Sequence, residues 1–121
     1  MDAKELGRWG EEQAARYLRR RGYGILERNF SCRGGEIDLI AKSRGFIVFA
    51  EVKLRKNDSF AEAREFVTAA KQRRIIATAQ LWLQANPCEL QPRFDVIEVY
   101  APAGEKSLWP TIRHIEDAFR L

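Results

Sequence analysis

The sequence predicts one α/β (α+β) domain built on a mixed sheet, with its elements in the order α-β-β-β-α-β-β. Three observations carry that prediction. A helical apolar period runs through Lys4–Arg21 and stops at Gly22. Two strand patterns, Glu36–Ala41 and Phe46–Lys53, flank the short polar turn Lys42–Gly45. A second helix then separates this hairpin from the alternating run Arg93–Tyr100. At 121 residues the chain, 1–121, reads as a single domain with one sizeable core.

The first helix carries Leu6, Gly10, Ala14, Tyr17 and Leu18 on its apolar stripe. Glu12 has Arg16 four residues on, an ordinary exposed pair. Glu11 differs: it lies at the edge of the stripe with no basic residue in the turn that follows it, which makes it a site candidate. Tyr23–Phe30 reads as the first strand, and Ser31–Gly35, with Asn29, as a polar turn containing Arg33. The central hairpin follows. Leu54–Glu62 is expected to be a loop, and it places Arg55 and Lys56 directly beside the hairpin's acids.

Phe66–Ala85 is the second helix, with Lys71, Arg73 and Arg74 in its first half. Lys71 and Arg74 lie three apart, on one face. Asn86-Pro87 ends it. Arg93–Tyr100 is a strand in which Asp95 is expected to pair structurally with a basic residue. Leu108–Ile115 is predicted as an edge strand containing Pro110, and Glu116–Leu121 as a short terminal helix.

Composition narrows the chemistry. Lys plus Arg number 21 against 17 Asp plus Glu, a net charge of +4 that favours a polyanionic partner or, more blandly, a solvated basic surface. No apolar run is long enough to span a bilayer, and Met-Asp-Ala-Lys-Glu begins no signal peptide. Cys32 and Cys88 match no metal spacing and read as free thiols of a cytoplasmic protein. With His114 the only histidine, any metal is expected to be a hard ion held by oxygen, Mg²⁺ or Mn²⁺.

Strand alternation puts Glu36 and Asp38 on one face and Glu51 and Lys53 on one face. The turn brings Asp38 and Glu51 onto neighbouring strands, near enough to share a divalent cation, with the Val52 carbonyl as a further oxygen. Lys53 would orient a water or stabilise developing charge. Carboxylates and an ammonium among apolar residues are costly unless they pair or hold a cation. A cross-strand ion network that only stabilises the sheet is the competing reading.

Asp38, twelve residues, then Glu51-Val52-Lys53 resembles the PD-(D/E)xK signature of the restriction-endonuclease-like nucleases, with Ile37 where proline is usual. Gly10-Glu11, Gly35-Glu36-Ile37-Asp38-Leu39-Ile40, Phe49-Ala50-Glu51-Val52-Lys53 with Arg55, Lys71 and Arg93-Phe94-Asp95 resemble more closely the YraN-type family of small bacterial proteins, known as predicted endonucleases. That family is similar in turn to archaeal Holliday-junction resolvases. The resemblance implies a restriction-endonuclease-like core, Asp38 and Glu51 as metal ligands, Lys53 as the catalytic lysine and Glu11 as the helix glutamate that supports the metal. It implies Glu36 as a second-metal or supporting residue, and Arg55 and Lys71 as phosphate contacts. Lys56, Arg74 and Arg33 join these as basic candidates for DNA, which is favoured over RNA. By analogy with resolvases, which cut two strands symmetrically, a homodimer is suggested. A non-catalytic nucleic-acid-binding module is one alternative. A protein-interaction subunit is another, motivated by the apolar Trp109, Ile112 and Phe119.

Overall fold

The computed structural model describes residues 2–55 and 67–120. Helix α1 (Ala3–Arg20) is capped by Asp2, whose carboxylate accepts the Glu5 N–H at 2.8 Å. Gly22 ends it at φ 89°, a left-handed turn that glycine adopts without steric cost. Strands β1 (Gly24–Cys32), β2 (Gly35–Lys42) and β3 (Phe46–Arg55) form an antiparallel meander. Helix α2 (Ala69–Ala85), capped by Thr68 on the Lys71 N–H, crosses over to β4 (Gln91–Tyr100), which runs parallel to β3. A short 3-10 turn at Gly104–Lys106 leads to β5 (Thr111–Phe119), antiparallel to β4. The sheet order is β1-β2-β3-β4-β5.

β3 and β4 are the inner strands of the parallel pair, and both are buried on both faces. This explains their nearly unbroken apolar runs. One face carries Leu39, Ala41, Val48, Ala50, Ile97 and Val99 against Ala14, Ala15 and Leu18 of α1. The other carries Ile40, Ile47, Phe49, Phe94 and Val96 against Ile75, Ala79 and Trp82 of α2. Two close approaches fix the helices. A Cβ at Gly10 would stand 3.4 Å from the Leu54 side chain, and one at Gly35 would stand 2.7 Å from Thr78 Oγ1 and 3.3 Å from the Arg74 carbonyl.

Several boundaries differ from expectation, each for a visible reason. β1 runs on to Cys32, leaving only Arg33 and Gly34 as the turn. Asn29 therefore lies inside a strand, at φ 51°. β3 continues through Leu54 and Arg55 because β4 pairs with both. Helix α2 begins at Ala69, and Phe66 lies outside the described residues.

Pro110 precedes β5 instead of sitting in it. In place of the expected terminal helix, residues 116–119 are strand. The register shifts opposite Asp95, and Asp117 takes φ 53° there, a bulge that absorbs the break in alternation and lets Phe119 pair with Phe94. Phe119 is accordingly buried, stacked on Phe94 with ring centroids 5.3 Å apart. Ile112 packs against the α1-side core. Of the three apolar residues read as an interaction surface, only Trp109 is exposed, at 90%, with Leu108 beside it at 85%.

Candidate active site

The antiparallel ladder of β2 and β3 ends at the pair Leu39–Ala50, and Asp38 and Glu51 are the residues just past it on the two strands. Beyond that point the strands part, and the Val52 N–H donates to Asp38 Oδ2 at 2.8 Å in place of a ladder bond. The carboxylate of Asp38 is thus held by the β3 backbone at the residue next to Glu51. Glu51 is buried and takes two ammonium groups: Lys71 Nζ from α2 at 2.6 Å and Lys53 Nζ from its own strand at 3.6 Å. Glu11, from α1, adjoins the group, close enough to Asn29, Glu36, Asp38 and Glu51 for each to act on its charge. Glu36 stands exposed at the rim.

The electrostatics follow from this crowding. Burial, then the facing Glu51 carboxylate, raises the Asp38 carboxyl to about 7, against the opposing pull of the Val52 N–H; Glu11 and Glu36 push in the same direction. Burial also raises Glu11, with Asn29 resisting. Lys53 is lowered by burial and by the neighbouring Lys71 ammonium. Burial works against the Lys71 charge too, but its hydrogen bond to Glu51 wins and raises it.

Gly35, Glu36, Asp38, Glu51, Lys71, Arg74 and Ile75 line a cleft of about 250 Å³. Among the described residues, no cluster of three or more His, Cys, Asp or Glu is spaced to hold a metal by itself. Asp38 and Glu51 nevertheless form an all-oxygen pair whose mutual repulsion raises Asp38. That donor set fits Mg²⁺ or Mn²⁺, which are commonly held by one or two carboxylates together with substrate phosphate.

A family model described as Uncharacterised protein family UPF0102 matches residues 10–99. A UPF0102 protein of Caldanaerobacter subterraneus subsp. tengcongensis is 45% identical over 120 residues, covering 98% of both chains. One from Trichlorobacter lovleyi is 46% identical over 118 residues, covering 96% of this chain and 91% of its own. A third, from Phocaeicola vulgatus, is 44% identical over 115 residues, 95% and 92%. The chain belongs to the UPF0102 family. This is the YraN-type family, predicted endonucleases of the PD-(D/E)xK-like superfamily.

The UPF0102 match spans Glu11, Glu36, Asp38, Glu51, Lys53, Lys71 and Arg74. The structure brings the first six into one neighbourhood and sets Arg74, exposed, on the wall of the cleft. Arg55 is placed differently: its Nε lies 3.5 Å from Glu98 Oε2. Glu98 is fully buried between Lys53 and Arg113 in the strand register and anchors Arg113 at 3.6 Å. Arg33 stands exposed in the β1–β2 turn, and Lys56 lies outside the described residues.

Asp95 makes the structural pair expected of it. Arg93 grips it bidentately at 2.9 and 2.8 Å, His114 Nε2 lies at 2.6 Å, and the Asp117 N–H donates at 3.0 Å. Asp95 can only accept, so His114 carries its proton on Nε2 and takes the Tyr17 hydroxyl at Nδ1, 3.1 Å away.

Asn29 is the site residue that sequence reading missed, having been placed in a turn. The pairs Arg28–Leu39 and Phe30–Ile37 set it opposite Asp38. Its left-handed backbone is one that asparagine tolerates better than most residues. The available signal was an asparagine interrupting a strand pattern four residues after Ile25.

Proposed function

We propose that the chain is a divalent-metal-dependent endonuclease that hydrolyses DNA phosphodiester bonds, selective for branched or junction structures. One observation carries this reading: Asp38 and Glu51, just past the end of the β2–β3 ladder, line one cleft, with two lysine ammonium groups converging on Glu51. Asp38 and Glu51 would hold Mg²⁺ or Mn²⁺, and Glu11 and Glu36 would support it from the rim. The cation would supply Lewis-acid polarisation of a phosphoryl oxygen and a more acidic water.

The chain's own residues do the rest. Glu51 holds Lys53 beside the cleft, where its ammonium orients the attacking water or meets charge developing on phosphate. Lys71 and Arg74 present positive charge to the backbone as it enters. Asn29 favours the charged form of Glu11. The preference for branched DNA rests on the likeness to resolvases.

The test combines Mn²⁺ binding with cleavage of labelled duplex and four-way-junction DNA, comparing wild type with Asp38→Ala. Metal binding and cleavage both lost in a folded variant support the reading. Unchanged metal binding removes the metal site. A second reading, a protein-interaction subunit, draws support from the adjacent exposed Leu108 and Trp109. It predicts no cleavage and no salt-dependent DNA affinity.

A further inference from the structure

The acidic cleft does not end at Glu36. On the far side of that residue a second hollow, of about 370 Å³, is lined by Ala3, Lys4, Gly7, Arg8, Glu11, Asn29 and Glu36. Glu36 belongs to both linings, so the two hollows adjoin there, and between them they are lined by the carboxylates of Glu11, Glu36, Asp38 and Glu51. One wall, from α2, carries Lys71 and Arg74; the other, from α1, carries Lys4 and Arg8, both exposed and one helical turn apart on one face. An anionic polymer crossing four carboxylates needs positive charge on both sides, and the α2 wall alone supplies only one.

Gly7 gives the α1 wall a more specific character. It sits in the interior of α1, where glycine is among the least favourable residues. Packing does not require it there: a Cβ built at Gly7 meets nothing within 4 Å. This sets it apart from Gly10, three residues on, which is crowded by Leu54. A helix-interior glycine that faces a groove and is free of its own fold is what a close backbone approach by a ligand requires.

We infer that Lys4, Gly7 and Arg8 form a second phosphodiester-backbone subsite on α1, which nucleic acid reaches after crossing the acidic cleft. The inference rests on the nuclease reading and extends it. The bare helix surface at Gly7 lets the sugar–phosphate chain lie against α1 while Lys4 and Arg8 meet successive phosphates. None of the three falls within the span matched by the UPF0102 model, which starts at Gly10.

The test is fluorescence anisotropy with a labelled four-way junction and a labelled single strand, in chelator and in Mg²⁺, over a range of salt. Gly7→Leu is expected to melt at or above the wild-type temperature and yet to bind at least tenfold more weakly. The double variant Lys4→Gln, Arg8→Gln is expected to keep the wild-type melting temperature and bind more weakly. Its salt slope should be shallower by about two, since each phosphate contact contributes roughly 0.9. A wild-type protein that binds with a steep salt slope, alongside variants that match it, overturns the α1 subsite and leaves the nuclease reading standing. A wild-type protein with no affinity for either probe overturns both.

Discussion

Lys71 Nζ lies 2.6 Å from Glu51 Oε1, closer than Lys53 at 3.6 Å, so a helix residue twenty positions downstream is the nearer partner of the strand's acid. The pair ties α2 to β3 at the mouth of the cleft. Lys71→Ala leaves a buried carboxylate with one ammonium, a cost of about 1–2 kcal/mol, between that of an exposed pair and a fully buried one. Urea unfolding should register the loss in chelator and a smaller loss in Mg²⁺, since the cation takes over part of the neutralisation. Equal losses in the two conditions would contradict a cation at Glu51.

Asp38 gives a pH signature. Its carboxyl is raised from 3.8 to about 7, so between those pH values the folded chain binds a proton that the unfolded chain has released. Stability contributed by this group therefore falls as pH rises through that window. Asp38→Asn keeps an oxygen for the Val52 N–H and removes the charge. In chelator it should be more stable than wild type at pH 8, by an amount on the order of a few kcal/mol, and close to wild type near pH 4. Thermal unfolding of both proteins at the two pH values checks this; parallel curves would show that Asp38 is not held in an unfavourable ionised state.

Asp95 should behave in the opposite way. Burial pushes against its charge, but His114, Arg93 and the Asp117 N–H together hold its carboxyl below the ordinary value. Its contribution is present above the usual aspartate pKa and is lost as pH falls through the lowered folded value. Asp95→Ala strands a buried Arg93 and should cost about 3–5 kcal/mol. Divalent-ion binding by the remaining folded protein should be unchanged, which separates this network from the cleft.

Gly35 sets the distance between β2 and α2. Gly35→Ala places a methyl 2.7 Å from Thr78 Oγ1 and 3.3 Å from the Arg74 carbonyl, and should cost about 1–3 kcal/mol. Thr78→Ala relieves the closer of the two clashes, so the double variant should be more stable than the sum of the single effects predicts. Strict additivity in a double-mutant cycle would mean that α2 is not seated on Gly35.

The parts of this chain that could be read from sequence are those where one period governs. The α1 stripe, the β2–β3 hairpin and the β4 alternation each gave an element of the right kind, and the hairpin alone brings Asp38 and Glu51 to the end of one ladder. The misreadings fall where tertiary contacts overrule the local pattern. β5 passes through a bulge at Asp117 because Asp95 accepts its N–H, and no alternation survives there to mark a strand. Asn29 looks like a turn residue because asparagine favours left-handed backbone, yet here that backbone lies within a strand. Arg55 is adjacent to the motif in sequence, and the strand pairing that gives it Glu98 as partner comes from forty-three residues away.

The proposed hydrolysis depends on Lys53. The decisive measurement is cleavage, under single-turnover conditions, of labelled single strands, duplex, flaps, forks and four-way junctions, each with Mg²⁺ and with Mn²⁺. Wild type and Lys53→Ala are purified in parallel. Wild type is expected to cleave in a metal-dependent way, fastest on branched substrates, and the variant to lose at least a hundredfold, on the order of what removing one group that stabilises transition-state charge costs. No cleavage of any substrate by wild type, or equal cleavage by the two proteins, would contradict it.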